Sequence, residues 1–169
     1  MEERSHVSLA VSSIVRICCD KHGDGDWSGR IYTRYRETPI HFQNTGQLLD
    51  RLDRFYNWLG YPQESVVNRS FEKAPGRERN GEMAGVKRSQ IRQKGEKVIV
   101  VNEEAMKKHQ GDRATFVVRI QYRQNASWQG QVTWAEKDKT VPFRSALELL
   151  KLIDSTAVES EDSWDGGDE

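Results

Sequence analysis

The sequence predicts an α+β protein: two tandem βββα repeats packed with pseudo-twofold symmetry, forming an antiparallel sheet with helices covering one face. Three observations carry this expectation. The phrases WSGRIY and WQGQVT begin at Trp27 and Trp128, 101 positions apart. A gapless match of residues 27–53 onto 128–154 keeps six identities, Trp27/Trp128, Gly29/Gly130, Phe42/Phe143, Leu48/Leu149, Leu49/Leu150 and Asp53/Asp154. Apolar character also persists where a core needs it, at Ile31/Val132, Ile40/Val141 and Leu52/Ile153. Self-similarity at a fixed offset is the mark of an internal duplication. Three strands and one helix bury too little apolar surface to stand alone, so the copies are expected to share a core.

Each copy reads as the same unit. SLAVSSIVRICC and ATFVVRIQYR are β-branched or alternating, hence first strands; VRI at 15–17 matches VRI at 118–120 if the first copy carries two extra loop residues. WSGRIYTRYR and WQGQVTWAEK alternate apolar with polar, hence second strands. The polar turns RETP and KDKT lead into third strands ending at Phe42 and Phe143. Asn44 and Ser145 then stand at helix N-caps, with Gln47 and Glu148 three residues on at capping-box spacing. The following helices bury Leu48, Leu49, Leu52, Phe55 and Tyr56 in one copy and Leu147, Leu149, Leu150 and Ile153 in the other.

This divides the chain into a first repeat over 1–60, a basic linker or insertion over 61–112, a second repeat over 113–156 and an acidic, disordered tail over 157–169. From 61 to 111 there are 11 Lys/Arg against 7 Asp/Glu, whereas 159–169 holds six acids and no base, although the whole chain is neutral. Within the linker only KVIVVNEEAMKKH reads as ordered, as a strand over 98–101 and a short helix capped by Asn102. No apolar run approaches the roughly 20 residues of a membrane span, and the N-terminus lacks a secretory pattern, so a cytoplasmic protein without a membrane partner is expected. Cys18 and Cys19 are adjacent in a strand and point to opposite faces, which predicts free thiols.

The phrases YPQ (61–63) and RSF (69–71), with ATFVVRIQYRQNASWQG leading to FRSALELLKLID (114–154), resemble those of a family of small bacterial proteins with no assigned activity. That resemblance implies no catalytic residues. The order of elements resembles that of Pur-alpha and Whirly proteins, whose tandem strand-rich repeats end in a helix and bind single-stranded nucleic acid. Their repeats have four strands where three are read here.

The chemistry-bearing residues are sparse. CDKHGDGDW places Asp20, His22, Asp24 and Asp26 at alternate positions, but it lacks the terminal bidentate Glu of a calcium loop and reads as an ordinary Gly/Asp turn. His6, His22, His41 and His109 are scattered, with no nucleophile or carboxylate at catalytic spacing. No metal, cofactor or catalytic residue is therefore assigned. Alternation puts Trp27, Gly29 and Ile31 on one face of the second strand, and Arg30, Tyr32, Arg34 and Arg36 on the other. The stripe suits either an anionic, stackable ligand or a charged strand edge that discourages pairing. Trp27 and Trp128 serve either as core covers or, with Arg119, Arg123 and Arg144, as stacking surfaces. The expected function is non-enzymatic recognition of single-stranded nucleic acid through this face. The alternatives are a small-nucleotide binding or sequestering protein with its ligand between the repeats, and a protein-interaction adaptor; a homodimer is an open expectation.

Overall fold

Antiparallel pairing of six strands in the order β3-β2-β1-β4-β5-β6 places the two central strands, one from each half of the chain, side by side. A computed structural model describes residues 9–62, 71, 98–123 and 127–161. Its elements are α1 (Leu9–Ser12), β1 (Val15–Gly23), β2 (Asp26–Thr33), β3 (Arg36–Phe42), α2 (Thr45–Leu59), α3 (Glu103–Lys107), β4 (Ala114–Tyr122), β5 (Gln129–Trp134), β6 (Lys139–Phe143) and α4 (Ala146–Glu161). The protein is thus α+β. Most of the basic linker and residues 162–169 of the acidic tail lie outside the described residues, while 157–161 continue α4.

The two hairpin registers explain the paired glycines. Ile17 faces Ile31 and Val118 faces Val132, and both ladders shift by one residue at the same place, between Cys19 and Lys21 and between Ile120 and Tyr122. Gly29 and Gly130 sit across from these bulges, where a Cβ would lie 1.9 Å from the Cys18 carbonyl oxygen and 2.0 Å from that of Arg119. Only a residue without a side chain lets the strands approach so closely. The same registers correct one expectation. Val15 corresponds to Phe116 and Ile17 to Val118, so no extra loop residues are needed and the two VRI phrases are out of step by two. At the first turn, Asp24 and Gly25 both take positive φ, 53° and 75°, which is the two-residue hairpin that Asp-Gly favours.

Three other expectations change. Residues 9–12 form a helical turn ahead of β1, closed by the Ser13 hydroxyl donating to the Ala10 carbonyl. Residues 98–100 form no strand, although α3 follows as expected, with Asn102 accepting from the Ala105 N–H at 2.7 Å. Leu147, read as buried, is 61% exposed, because it precedes the inward stripe of Leu149, Ile153 and Ala157.

Both long helices start as their sequences indicate. Asn44 Oδ1 accepts from Gln47 N at 2.8 Å and Ser145 Oγ from Glu148 N at 3.0 Å, while the Gln47 and Glu148 side chains reach back to the amides of Gln43 and Arg144. These bonds satisfy donors that a helix start otherwise leaves unmade. α2 and α4 lie on one face, where Trp27, Ile31, Phe42, Leu48, Leu52 and Tyr56 join Phe116, Val132, Phe143, Leu149 and Ile153 in a single cluster. Polar bonds tie the halves together across it: Trp27 Nε1 donates to Asp154 Oδ1 at 2.9 Å, and Arg123 donates to Asp53 Oδ1 at 3.0 Å and Asn57 Oδ1 at 2.6 Å. Among the described residues no helix is long and apolar enough to cross a membrane.

Candidate nucleic-acid interface

The period-two alternation that sends Ile17, Cys19, Trp27 and Ile31 toward the helices sends Arg16, Cys18, Arg30 and Tyr32 to the opposite, outer face. That face is partly covered. Residues 98–113 run over it as a strap before turning into β4, and Met106 of α3, with Val101, packs on Cys18 and Tyr32. Backbone bonds fix both ends: the Val100 and Val101 amides donate to the Arg34 carbonyl at 3.0 Å each, and the Arg113 amide donates to the Cys19 carbonyl at 3.0 Å.

Three guanidiniums hold the strap by its carbonyl oxygens. Arg16 Nε donates to His109 O, Arg30 to Gln110 O at 3.0 Å, and Arg34 Nε to Val101 O at 3.3 Å. Between them the His109 imidazole lies flat on the Tyr32 ring, centroids 3.8 Å apart and planes 8° from parallel. Tyr32 is consequently only 6% exposed. Burial, and then the charges of Arg30 and Arg16, hold the His109 pKa below its ordinary value. Arg30 is further fixed by two bonds to Asp20, at 2.9 and 3.0 Å, which raise its already high pKa. Asp20 is the residue at the bulge, so the close approach at Gly29 is what presents this carboxylate to Arg30.

The remaining sequence-assigned residues scatter. Arg36 is exposed and donates to Thr38 Oγ1 at 2.8 Å. Arg119 is half-buried in β4 opposite Gln131, and Arg144 is exposed at the entry to α4. Arg123 is 2% exposed and directed to Asp53, Asn57 and the Pro62 carbonyl on the helix side, so it does not belong to the outer face. Trp27 is 1% exposed in the core, which leaves no ring face for a ligand. Trp128 is half-buried, edge-on to Tyr56 at 6.3 Å. The structure therefore brings Arg30, Tyr32 and Arg34 together with Arg16, Asp20 and His109, which sequence reasoning did not assign. Arg16 was legible, because it alternates with the inward Val15 and Ile17; His109 was not, because its place depends on a fold-back from a distant segment.

The Asp/His turn near β1 holds no metal cluster: none of three or more ligating side chains occurs among the described residues. Asp26 instead accepts from the Trp27 and Thr45 amides, joining the hairpin to the start of α2. Cys18 and Cys19 are free and buried; burial raises the Cys18 thiol to about 11. No family model matches the chain, and no curated protein or solved structure matches it significantly.

Proposed function

We propose that the protein is a non-enzymatic binding protein for single-stranded nucleic acid, engaged through the outer sheet face when the strap over 98–113 lifts from it. One observation carries this reading: the Tyr32 ring with His109 stacked on it, ringed by three arginines that each grip an oxygen. A planar ring on an aromatic platform, with guanidiniums on the flanking oxygens, is the arrangement by which single strands are held. The strap occupies the platform with an imidazole in place of a base and carbonyls in place of phosphates.

The two halves, in this reading, are copies of one βββα unit related by a pseudo-twofold axis. Their registers keep the 101-residue offset, and the Arg16–Val117 pair of the β1–β4 ladder maps onto itself under it, which supports an axis at that pair. The platform then belongs to one copy alone, since Gln121 and Gln131 replace the Asp20–Arg30 pair in the other.

Anisotropy of a labelled single-stranded oligonucleotide, titrated with salt, tests the function. If Arg16, Arg30 and Arg34 each meet a phosphate, log K falls against log salt with a slope of about −2, from roughly −0.7 per contact. Met106→Ala, which loosens the strap, is expected to tighten binding. No binding at low salt by either protein would end the proposal.

A further inference from the structure

A cleft of about 130 Å³ lies on the outer face where the halves meet, between α3 and the β1–β4 ladder. Its polar lining is Arg16, Arg34, Lys107 and Glu103, three cations against one carboxylate. Ile14, Val117 and Met106 supply apolar walls. Arg16 is the unusual member. It is 8% exposed, yet neither it nor Arg34 forms an ion pair with a carboxylate among the described residues. Charges so nearly buried are ordinarily paired, because an uncompensated one is costly. The hydrogen bond that Arg16 Nε donates to His109 O meets a neutral acceptor.

We infer that this cleft is a binding site for a small organic phosphate, with the phosphate on Arg16, Arg34 and Lys107 and the organic body over the apolar walls. Lys107 is already met by Glu103 and Glu104, so the two cations left without a carboxylate among the described residues are Arg16 and Arg34, which together match a phosphate dianion; a monocarboxylate would leave one of them unmatched. Size sets the same limit, since an apolar cavity of about 150 Å³ takes one benzene ring. The cleft thus admits a phosphate group and the first atoms beyond it, and the rest of the ligand lies across the mouth. Arg and Lys act differently here: the planar guanidiniums bind oxygens in pairs, and the Lys107 ammonium, already beside Glu103 at 3.3 Å and Glu104 at 3.4 Å, is a point charge at the rim. The site is separate from the Tyr32 platform but shares Arg16 and Arg34 with its flanks. Glu103, Met106 and Lys107 of its lining belong to the strap, so an occupied cleft holds the strap down.

Calorimetry of the full chain with adenosine monophosphate, adenosine and inorganic phosphate tests the inference. The monophosphate is expected to bind saturably, adenosine at least tenfold more weakly, and inorganic phosphate weakly but at the same site by competition. Arg16→Met and Arg34→Gln, on different elements, should each reduce monophosphate affinity at least tenfold, and Arg34→Gln does so without disturbing the buried ladder. Bound monophosphate should also slow alkylation of Cys18, which lies beneath the strap. Absence of monophosphate heat, equal affinity for adenosine, or unchanged binding by folded Arg34→Gln would each overturn the site. Oligonucleotide binding without monophosphate binding sinks this inference alone; the reverse sinks only the single-strand reading.

Discussion

Replacing Gly29 or Gly130 by Ala puts a methyl group where the backbone of the neighbouring strand already lies. The added Cβ meets Cys18 O at 1.9 Å and Arg119 O at 2.0 Å. Relief to an ordinary contact requires a shift of about 1 Å or more, and β1 and β4 are each held by strands on both sides. Overpacking of this kind costs about 1–3 kcal/mol. Parting one or two ladder bonds beside the bulge adds about 1 kcal/mol for each. Each substitution should therefore cost about 2–5 kcal/mol, a large part of the roughly 5–15 kcal/mol that holds a domain. In urea the midpoint should fall by about 1–2 M with the slope unchanged. Gly46→Ala is the control: its Cβ meets only Asn44 Oδ1, at 3.2 Å, in the first turn of α2, and the change stays within about 1 kcal/mol of zero. If Gly29→Ala and Gly130→Ala move the midpoint no further than Gly46→Ala, the close approach is not what the repeated glycine is for.

Four further outcomes are expected. Asp53→Ala removes the carboxylate bonded to the 2% exposed Arg123; because the Asp53 side chain is 37% exposed, the loss is about 1–3 kcal/mol rather than that of a fully buried pair, read by urea midpoint. Met106→Ala removes the apolar anchor of the strap, so maleimide should reach Cys18 at least tenfold faster while Cys19, on the helix side and with its pKa raised by burial, stays inert. The folded strap resists the proton that an unfolded His109 accepts near pH 6.5, so its adhesion is complete above that value and weakens as pH falls through it. Tyr32, Arg30 and Arg16 face that ring and backbone; exchange of the Val100 and Val101 amides, corrected for intrinsic rate, should quicken from pH 7.5 to 5.5 in the wild type but not in His109→Gln. Burial pushes the Asp20 carboxyl up, but bonds from Arg30 and the Asp112 amide outweigh it and leave the pKa low, so its contribution is present above about pH 4 and lost as pH falls through the lowered folded value. Asp20→Asn should accordingly flatten the acid limb of the stability curve.

Much of the fold could be read from local rules. The capping boxes at Asn44 and Ser145 placed both long helices and alternation put Trp27 and Ile31 inside, whereas the turn read over CDKHGDGDW narrows to Asp24 and Gly25. The errors came where two rules competed. SLAVSSIVRICC is β-branched at Val11, Ile14, Val15 and Ile17, yet Ser13 closes a helical turn over its first residues that residue type alone does not announce. VRI recurs as letters, but register is fixed by which residue faces which, and the bulges set that at Cys19 and Ile120. Leu147 was assigned by hydrophobicity where helix phase puts it outside.

The Arg stripe illustrates a different limit. Alternation correctly separated Arg30 and Tyr32 from Trp27, but a period-two rule names a face without saying what lies on it. Here the occupant is the chain's own strap, some 70 residues downstream of β2, and no local pattern in RIYTRYR encodes that return. A lone aromatic among several cations has few neutral ways to be covered, and His109 meets them all: flat enough to stack, uncharged at neutral pH beside two arginines, and followed by carbonyls that guanidiniums can hold. The chemistry that makes the face suitable for a base and a phosphate is the chemistry that holds the strap. Under the proposed function, cover and ligand therefore compete for the same atoms, and a single strand would have to displace the bonds to His109 and Gln110 before Tyr32 is available. Occupancy of the neighbouring cleft by the proposed phosphate ligand, which would draw on Lys107 and Met106, would pull in the opposite direction. On these terms the affinity of the face is set by the strap's adhesion as much as by the arginines, which is why loosening Met106 is expected to strengthen binding that loss of Arg30 would weaken.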